Sequence, residues 1–83
     1  MSTKDKLLER FKSLPPDFTF DELTRLLSFW GFRLDHRGVT SGSRVSFVKG
    51  NERIKFHRPH PGNIMKKATL KDIYNLLKIK GLI

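Results

Sequence analysis

Two histidines that lie close together in the sequence are the residues best suited to proton-transfer chemistry. His57 and His60 are three residues apart in a loop where Pro59 and Pro61 each favour an extended conformation for the residue before them. An imidazole titrates near neutral pH and can therefore serve as a general acid or base. We take His57 and His60 as candidate catalytic residues. Hydrogen bonding or stacking by a loop histidine is the alternative, and it stays open.

The sequence offers few ligands for a metal ion or cofactor. It contains no cysteine and only three histidines. A zinc site would need more ligands than His57 and His60 supply. The sequence also has no glycine-rich phosphate loop and no nucleophilic triad. We therefore predict no metal, no small-molecule cofactor and no disulfide.

The excess of positive charge lies entirely in the second part of the chain. The net charge is +9. Residues 1–30 carry five basic and five acidic side chains, whereas residues 31–83 carry twelve basic and three acidic side chains. A localised positive field favours encounters with polyanions and contacts with phosphate. We predict a nucleic-acid partner, with an ordinary solvated basic surface as the alternative.

The first part of the chain predicts two helices. Residues 4–13 place apolar side chains at helical spacing, and the prolines at 15–16 end that helix. Residues 19–22 form a capping box, so a second helix should start near Phe20. Gly31 can supply the left-handed residue that closes it.

The middle of the chain alternates with the period of a β-strand. A short first strand is expected from Phe32, followed by a hairpin with its turn at residues 49–52. The alternation directs four apolar side chains to the core: Val45, Phe47, Ile54 and Phe56. It directs Arg33, Arg44, Ser46, Arg53, Lys55 and His57 to the opposite face. Apart from His57, these are candidate RNA-binding residues, although an exposed sheet face is ordinarily polar in any case.

A last helix is expected to start after Thr69, whose spacing to Asp72 imitates a capping box, and to run to about Lys80. The lysines near its start would lie beside unpaired N–H groups and the positive end of the helix dipole, an arrangement suited to phosphate. A solvated turn is the alternative. These further candidate RNA-binding residues are Lys66, Lys67 and Lys71.

Together these elements predict one α+β domain over residues 1–83, with the order ααβββα. The helices should cover one face of a three-stranded antiparallel sheet. The longest apolar run, residues 26–32, is too short to span a bilayer, and no hydrophobic signal core is present at the N-terminus. We expect a cytoplasmic protein without a membrane partner.

Several short motifs follow one another in a characteristic order from about Leu23 onward. They are Gly31-Phe32 at the end of a helix, Gly42-Ser43-x-x-x-Phe47, His60-Pro61-Gly62, Lys66-Lys67-Ala68-Thr69-Leu70 leading to Ile73, and the terminal Gly81-Leu82-Ile83. Each motif alone is a weak signal. In this joint order, they resemble the HicA family, the small toxins of bacterial HicBA toxin–antitoxin pairs.

The resemblance implies a fold like that of double-stranded-RNA-binding domains and an endoribonuclease that cleaves mRNA without a metal. It also implies neutralisation by a HicB-type antitoxin that covers the active surface. On this view residues 17–83 form the family core. Residues 1–16 are an addition, made up of an extra N-terminal helix and a Pro-Pro link.

The sequence departs from the family at one position. The family's usual motif is Gly-Ser-His with a histidine regarded as catalytic, and the matching residue here is Arg44. Arginine does not exchange protons near pH 7, so it can bind phosphate but cannot act as the base. Three functions remain open: a nuclease in which His57 or His60 transfers the proton, a non-catalytic RNA-binding protein, and a basic partner of an acidic antitoxin-like protein.

Overall fold

A computed structural model describes residues 3–35, 44–59 and 62–83. It confirms an α+β fold with the order ααβββα. The elements are α1 (Thr3–Lys12), α2 (Phe20–Phe29), β1 (Arg33–Leu34), β2 (Arg44–Lys49), β3 (Glu52–His57) and α3 (Lys67–Ile79). Among the described residues, no helix is long and apolar enough to cross a membrane.

The three strands form an antiparallel sheet in the order β1-β2-β3, so β2 is central and β3 is an outer strand. Gly50 and Asn51 make the turn of the β2–β3 hairpin, with Lys49 paired to Glu52. Gly50 has a φ of 57°. Glycine at the first central position is typical of the type II′ turn, whose twist matches that of the strands.

The helices cover one face of the sheet. As predicted, Val45, Phe47, Ile54 and Phe56 are buried on that face. The rings of Phe47 and Phe56 stack with their centroids 5.6 Å apart. The other buried apolar side chains come mainly from the helices and the segments that flank them, and they include Phe18, Phe20, Leu23, Leu26, Leu27, Phe32, Met65, Leu70, Ile73 and Leu77.

The predicted capping box at the start of α2 is present. The N–H of Glu22 donates to Thr19 Oγ1 (3.0 Å), and the N–H of Thr19 donates to Glu22 Oε1 (3.0 Å). Partial burial of Glu22 would raise the pKa of its carboxyl. The hydrogen bonds from Arg10 and Thr19 outweigh that effect and hold the pKa below its ordinary value.

Gly31 and Gly81 close α2 and α3 in the same way. Their φ angles are 91° and 80°. After Gly31, the N–H of Phe32 reaches back to the carbonyl oxygen of Leu27 at 3.1 Å. The N–H of Leu82 makes the equivalent bond to the carbonyl of Leu77 at 3.0 Å, so both glycines occupy the left-handed position of a Schellman-type C-cap.

The predicted start of α3 was wrong. The helix begins at Lys67 with Lys66 as its N-cap, and no side chain caps it. Thr69 and Asp72 therefore lie inside the helix and form no capping box, because the backbone has turned helical before it reaches Thr69. Lys67 belongs to the first turn, and Lys71 lies beyond it.

α1 packs into the same core as the rest of the chain. Phe11 is fully buried, and its ring lies 5.8 Å from that of Phe18 and 5.9 Å from that of Tyr74. Arg10 Nε donates to Glu22 Oε2 at 2.7 Å. This ion pair joins α1 to the capping box of α2.

A short backbone pairing joins the start of α2 to the segment before α3. Thr19 and Ile64 form an antiparallel bridge. The N–H of Phe20 donates to the carbonyl of Asn63, and that of Met65 donates to the carbonyl of Phe18, both at 2.7 Å. The pairing seats Met65 in the core with 2% of its surface exposed.

Candidate nucleic-acid interface

The face of the sheet that points away from the helices carries the predicted basic side chains. The register pairs Arg44 with His57, Ser46 with Lys55, and Val48 with both Arg33 and Arg53. All are exposed except Ser46 and Val48, which are half-buried. The structure thus gathers Arg33, Arg44, Ser46, Arg53, Lys55 and His57 on one surface, which we call the basic face.

Arg44 and His57 are direct neighbours at the open end of the hairpin. They form the last residue pair between β2 and β3, and both are exposed. The two-residue turn makes Lys49 and Glu52 a hydrogen-bonded pair, so by alternation Arg44 and His57 form a non-hydrogen-bonded pair with Cα atoms about 4.5 Å apart. A guanidinium and an imidazole at this spacing can meet the same phosphodiester group.

Asp35 is a member of this surface that the sequence analysis did not single out. It is 8% exposed, and its N–H donates to the carbonyl of Ser46 at 2.9 Å. Arg53 Nη1 donates to Asp35 Oδ2 at 3.2 Å, which means that the guanidinium reaches across β2. The carboxylate offsets part of the charge of Arg53 and holds its side chain over the sheet. The sequence did contain a signal for Asp35, because the same alternation that places Arg33 on this face also applies to the residue two positions later.

Arg58 is a second residue that was not among the predicted site residues. Its guanidinium carbon lies 4.6 Å from the centre of the Phe20 ring, in a cation–π contact that fixes an exposed arginine just beyond β3. Nothing in the spacing of these two residues indicates the contact, because they come from distant parts of the sequence.

The three lysines near the start of α3 are exposed. Lys67 and Lys71 are four residues apart and so lie on the same side of the helix. No hydrogen bond or ion pair among the described residues connects these lysines to the basic face. The link is indirect: Thr69 and Asp72, from the same part of the helix, line a cleft together with Lys55 and His57.

Some predicted residues fall outside the described part of the chain. These are His60, one of the two candidate catalytic residues, and Gly42 and Ser43 of the family-like motif. Within residues 3–35, 44–59 and 62–83, no three His, Asp or Glu side chains are grouped closely enough to hold a metal ion.

Comparison with protein families shows a match over most of the chain. The family model described as the HicA toxin of bacterial toxin–antitoxin systems matches residues 20–82. No curated protein and no solved structure shows significant similarity to the chain. The matched segment runs from the first residue of α2 to the residue after Gly81, and it includes the whole sheet. The chain therefore belongs to the HicA family of toxins from bacterial toxin–antitoxin systems.

Proposed function

We propose that the protein is a toxin that binds mRNA on its basic face and cleaves it without a metal ion. It acts in the cytoplasm, where mRNA is found, and is neutralised by an acidic antitoxin of the HicB type. The placement of Arg44 directly opposite His57 is the observation that supports cleavage best. This pair joins the positive charge of a guanidinium to an imidazole, the side chain most often used as a general acid or base.

The reaction needs a base, an acid and a cation. The 2′-hydroxyl of the substrate attacks the adjacent phosphorus and gives up its proton to the imidazole of His57 or His60. The bond to the 5′-oxygen breaks as the 2′,3′-cyclic phosphate forms, and the departing oxygen takes a proton from the other histidine or from water. Arg44 donates hydrogen bonds to the non-bridging oxygens, where negative charge accumulates in the transition state.

The remaining cations on this side of the molecule hold the RNA backbone. Arg33 and Lys55 are exposed and have no ion-pair partner among the described residues, whereas Arg53 is paired with Asp35. We expect Arg33 and Lys55 to contribute more phosphate affinity than Arg53, because part of the charge of Arg53 is already offset. Ser46 can add a hydrogen bond, and Lys66, Lys67 and Lys71 extend the binding surface beyond the sheet.

RNA binding without cleavage is the competing function. It is favoured by Arg44 itself, because the resemblance to the family places a histidine at this position and arginine cannot replace that residue as a base. In that case the toxin would act by occupying mRNA.

Incubation of the purified protein with RNA in EDTA separates the two functions. Cleavage predicts products with 2′,3′-cyclic phosphate and 5′-hydroxyl ends, and a rate that depends on pH between 5 and 8. His57→Gln and His60→Gln should identify the proton-transfer residue by lowering the cleavage rate about 10²-fold or more while RNA affinity is retained. Intact RNA across this pH range, with binding preserved, would leave the non-catalytic function.

A second pair of variants tests the role of Arg44. Arg44→Ala should reduce cleavage and RNA affinity together. Arg25→Ala removes the same charge from the exposed surface of α2 and is the matched control. Equal effects of the two substitutions would show that Arg44 contributes only to the overall charge.

A further inference from the structure

The outer strand β3 borders a cleft. The space between β3 and α3 has a volume of about 300 Å³. Lys55 and His57 line it from the strand, Thr69 and Asp72 from the helix, and Ile73 and Leu76 form apolar parts of its wall. We call this space the edge cleft.

β3 is an outer strand, and its edge away from β2 pairs with no other strand among the described residues. Lys49 and Glu52 flank a two-residue turn and form a hydrogen-bonded pair, and such pairs alternate along an antiparallel ladder. The N–H and C=O groups of Arg53, Lys55 and His57 therefore point away from β2. In the described part of the chain, no backbone hydrogen bond outside the sheet involves these residues.

A strand that paired with this edge would meet two different environments on its two faces. Side chains on the solvent side would lie beside Arg53, Lys55 and His57 of the basic face. Side chains on the other side would lie over Ile73 and Leu76 of the edge cleft. Acidic residues suit the first environment and apolar residues the second. Asp72 reinforces this division, because a negatively charged residue in the cleft lining disfavours an acidic side chain there.

We infer that the edge cleft docks an extended segment of a partner protein, with alternating acidic and apolar residues, as a fourth strand beside β3. The inference rests on the proposed function in so far as the partner would be the acidic antitoxin. Charge also argues against a second copy of the chain, because pairing two β3 edges would bring the Arg53 and Lys55 side chains of both copies together. A strand beside His57 would also restrict access of RNA to the Arg44–His57 pair.

The test uses a synthetic peptide of about eight residues in which glutamate alternates with valine. A peptide of the same composition, with its glutamates grouped at one end, is the control for simple charge attraction. We expect the alternating peptide to bind at least 10-fold more tightly than the grouped peptide. Hydrogen exchange should show that it protects the amides of Arg53, Lys55 and His57. Equal binding of the two peptides, or protection elsewhere only, would overturn the inference.

Two variants at Lys55 separate the backbone from the charge. Lys55→Thr removes the charge and keeps the N–H, whereas Lys55→Pro removes both at a position where the N–H does not bond to β2. We expect the proline variant to bind the alternating peptide about 10-fold more weakly than the threonine variant, and equal affinities would contradict strand addition. If the proline variant does not fold, exchange protection in the unsubstituted protein still decides the question.

The peptide-binding test of the edge cleft can be distinguished from the RNA assays. An alternating peptide that fails to bind a protein that cleaves RNA refutes the edge cleft and leaves the nuclease intact. A peptide that protects β3 in a protein that neither binds nor cleaves RNA supports the cleft and refutes the proposed RNA chemistry. Protection of the β3 amides that appears without peptide, as the protein concentration rises, would identify a second copy as the occupant and overturn the inference.

Discussion

Phe11→Ala tests whether the helix that precedes the family-matched segment is part of the folding unit. Residues 20–82 match the family, and Phe11 lies upstream of them. Its side chain is nevertheless fully buried, between the rings of Phe18 and Tyr74. If α1 is a structural element and not an appendage, removing this ring must cost a large part of the free energy of unfolding.

The cost can be worked out from the burial. A buried phenylalanine removes about 150–200 Å² from water, and at about 25 cal/mol per Å² this contributes roughly 4–5 kcal/mol. The alanine side chain still buries a small part of that area, but the missing ring leaves a cavity. The net loss of stability should therefore be about 4 kcal/mol. A chain of this size has a total stability of roughly 4–12 kcal/mol. The variant should therefore lose a third or more of its stability.

Urea unfolding followed by circular dichroism measures this loss. With a slope of about 1–2 kcal/mol per molar urea, the midpoint should fall by roughly 2–4 M. Ile79→Ala is the control, because Ile79 is a large apolar helix residue with 82% of its surface exposed. Its substitution should change stability by no more than about 0.5 kcal/mol.

A loss below about 1 kcal/mol for Phe11→Ala would refute the packing of α1. If the alanine variant is too unstable to measure, Phe11→Leu keeps most of the volume and should cost about 1–2 kcal/mol.

Three further predictions concern RNA binding, acid stability and a helix end. Arg44→Ala should reduce the slope of log affinity against log salt by about one unit in RNA titrations, because one phosphate contact is lost, and an unchanged slope would remove Arg44 from the interface. Since the pKa of Glu22 is lowered on folding, its stabilising effect is complete above its unfolded pKa and disappears as the pH falls through its folded pKa. Glu22→Gln should thus unfold more easily at pH 7 and show a flatter acid unfolding profile below about pH 4.3, and identical profiles would contradict the Arg10–Glu22 pair. Gly31→Ala should cost about 1 kcal/mol in thermal unfolding because φ is 91°, and no loss would indicate that the helix end can relax.

Local sequence rules predicted most of the fold. The capping box at residues 19–22, the left-handed glycines at 31 and 81 and the hairpin turn at Gly50 each depend on neighbouring residues, so the chain itself carries the signal. The start of α3 was misplaced because that prediction also relied on a local pattern alone. Thr69 has the right local spacing for a cap, but the helix begins two residues earlier, at Lys67, between the buried residues Met65 and Leu70.

The candidate site was predictable only in part. Strand alternation was sufficient to place the basic residues on one face, because side-chain direction follows from the period of two. The register that pairs Arg44 with His57 follows from the two-residue turn, which the sequence also indicated. Neither signal revealed the contacts of Arg53 with Asp35 and of Arg58 with Phe20. These contacts depend on how the segments pack in three dimensions, and their residues lie far apart in the sequence.

The bridge between Thr19 and Ile64 has a consequence for the order of folding. The β2–β3 hairpin closes through two residues, whereas this bridge joins segments on either side of the whole sheet and carries a larger loop-closure entropy. We expect the hairpin to form in the folding transition state and the bridge to form after it. Met65→Ala should then accelerate unfolding with little change in the folding rate, which stopped-flow measurements can resolve. A transient opening of this bridge would leave the basic face assembled while the segment that leads into α3 is released.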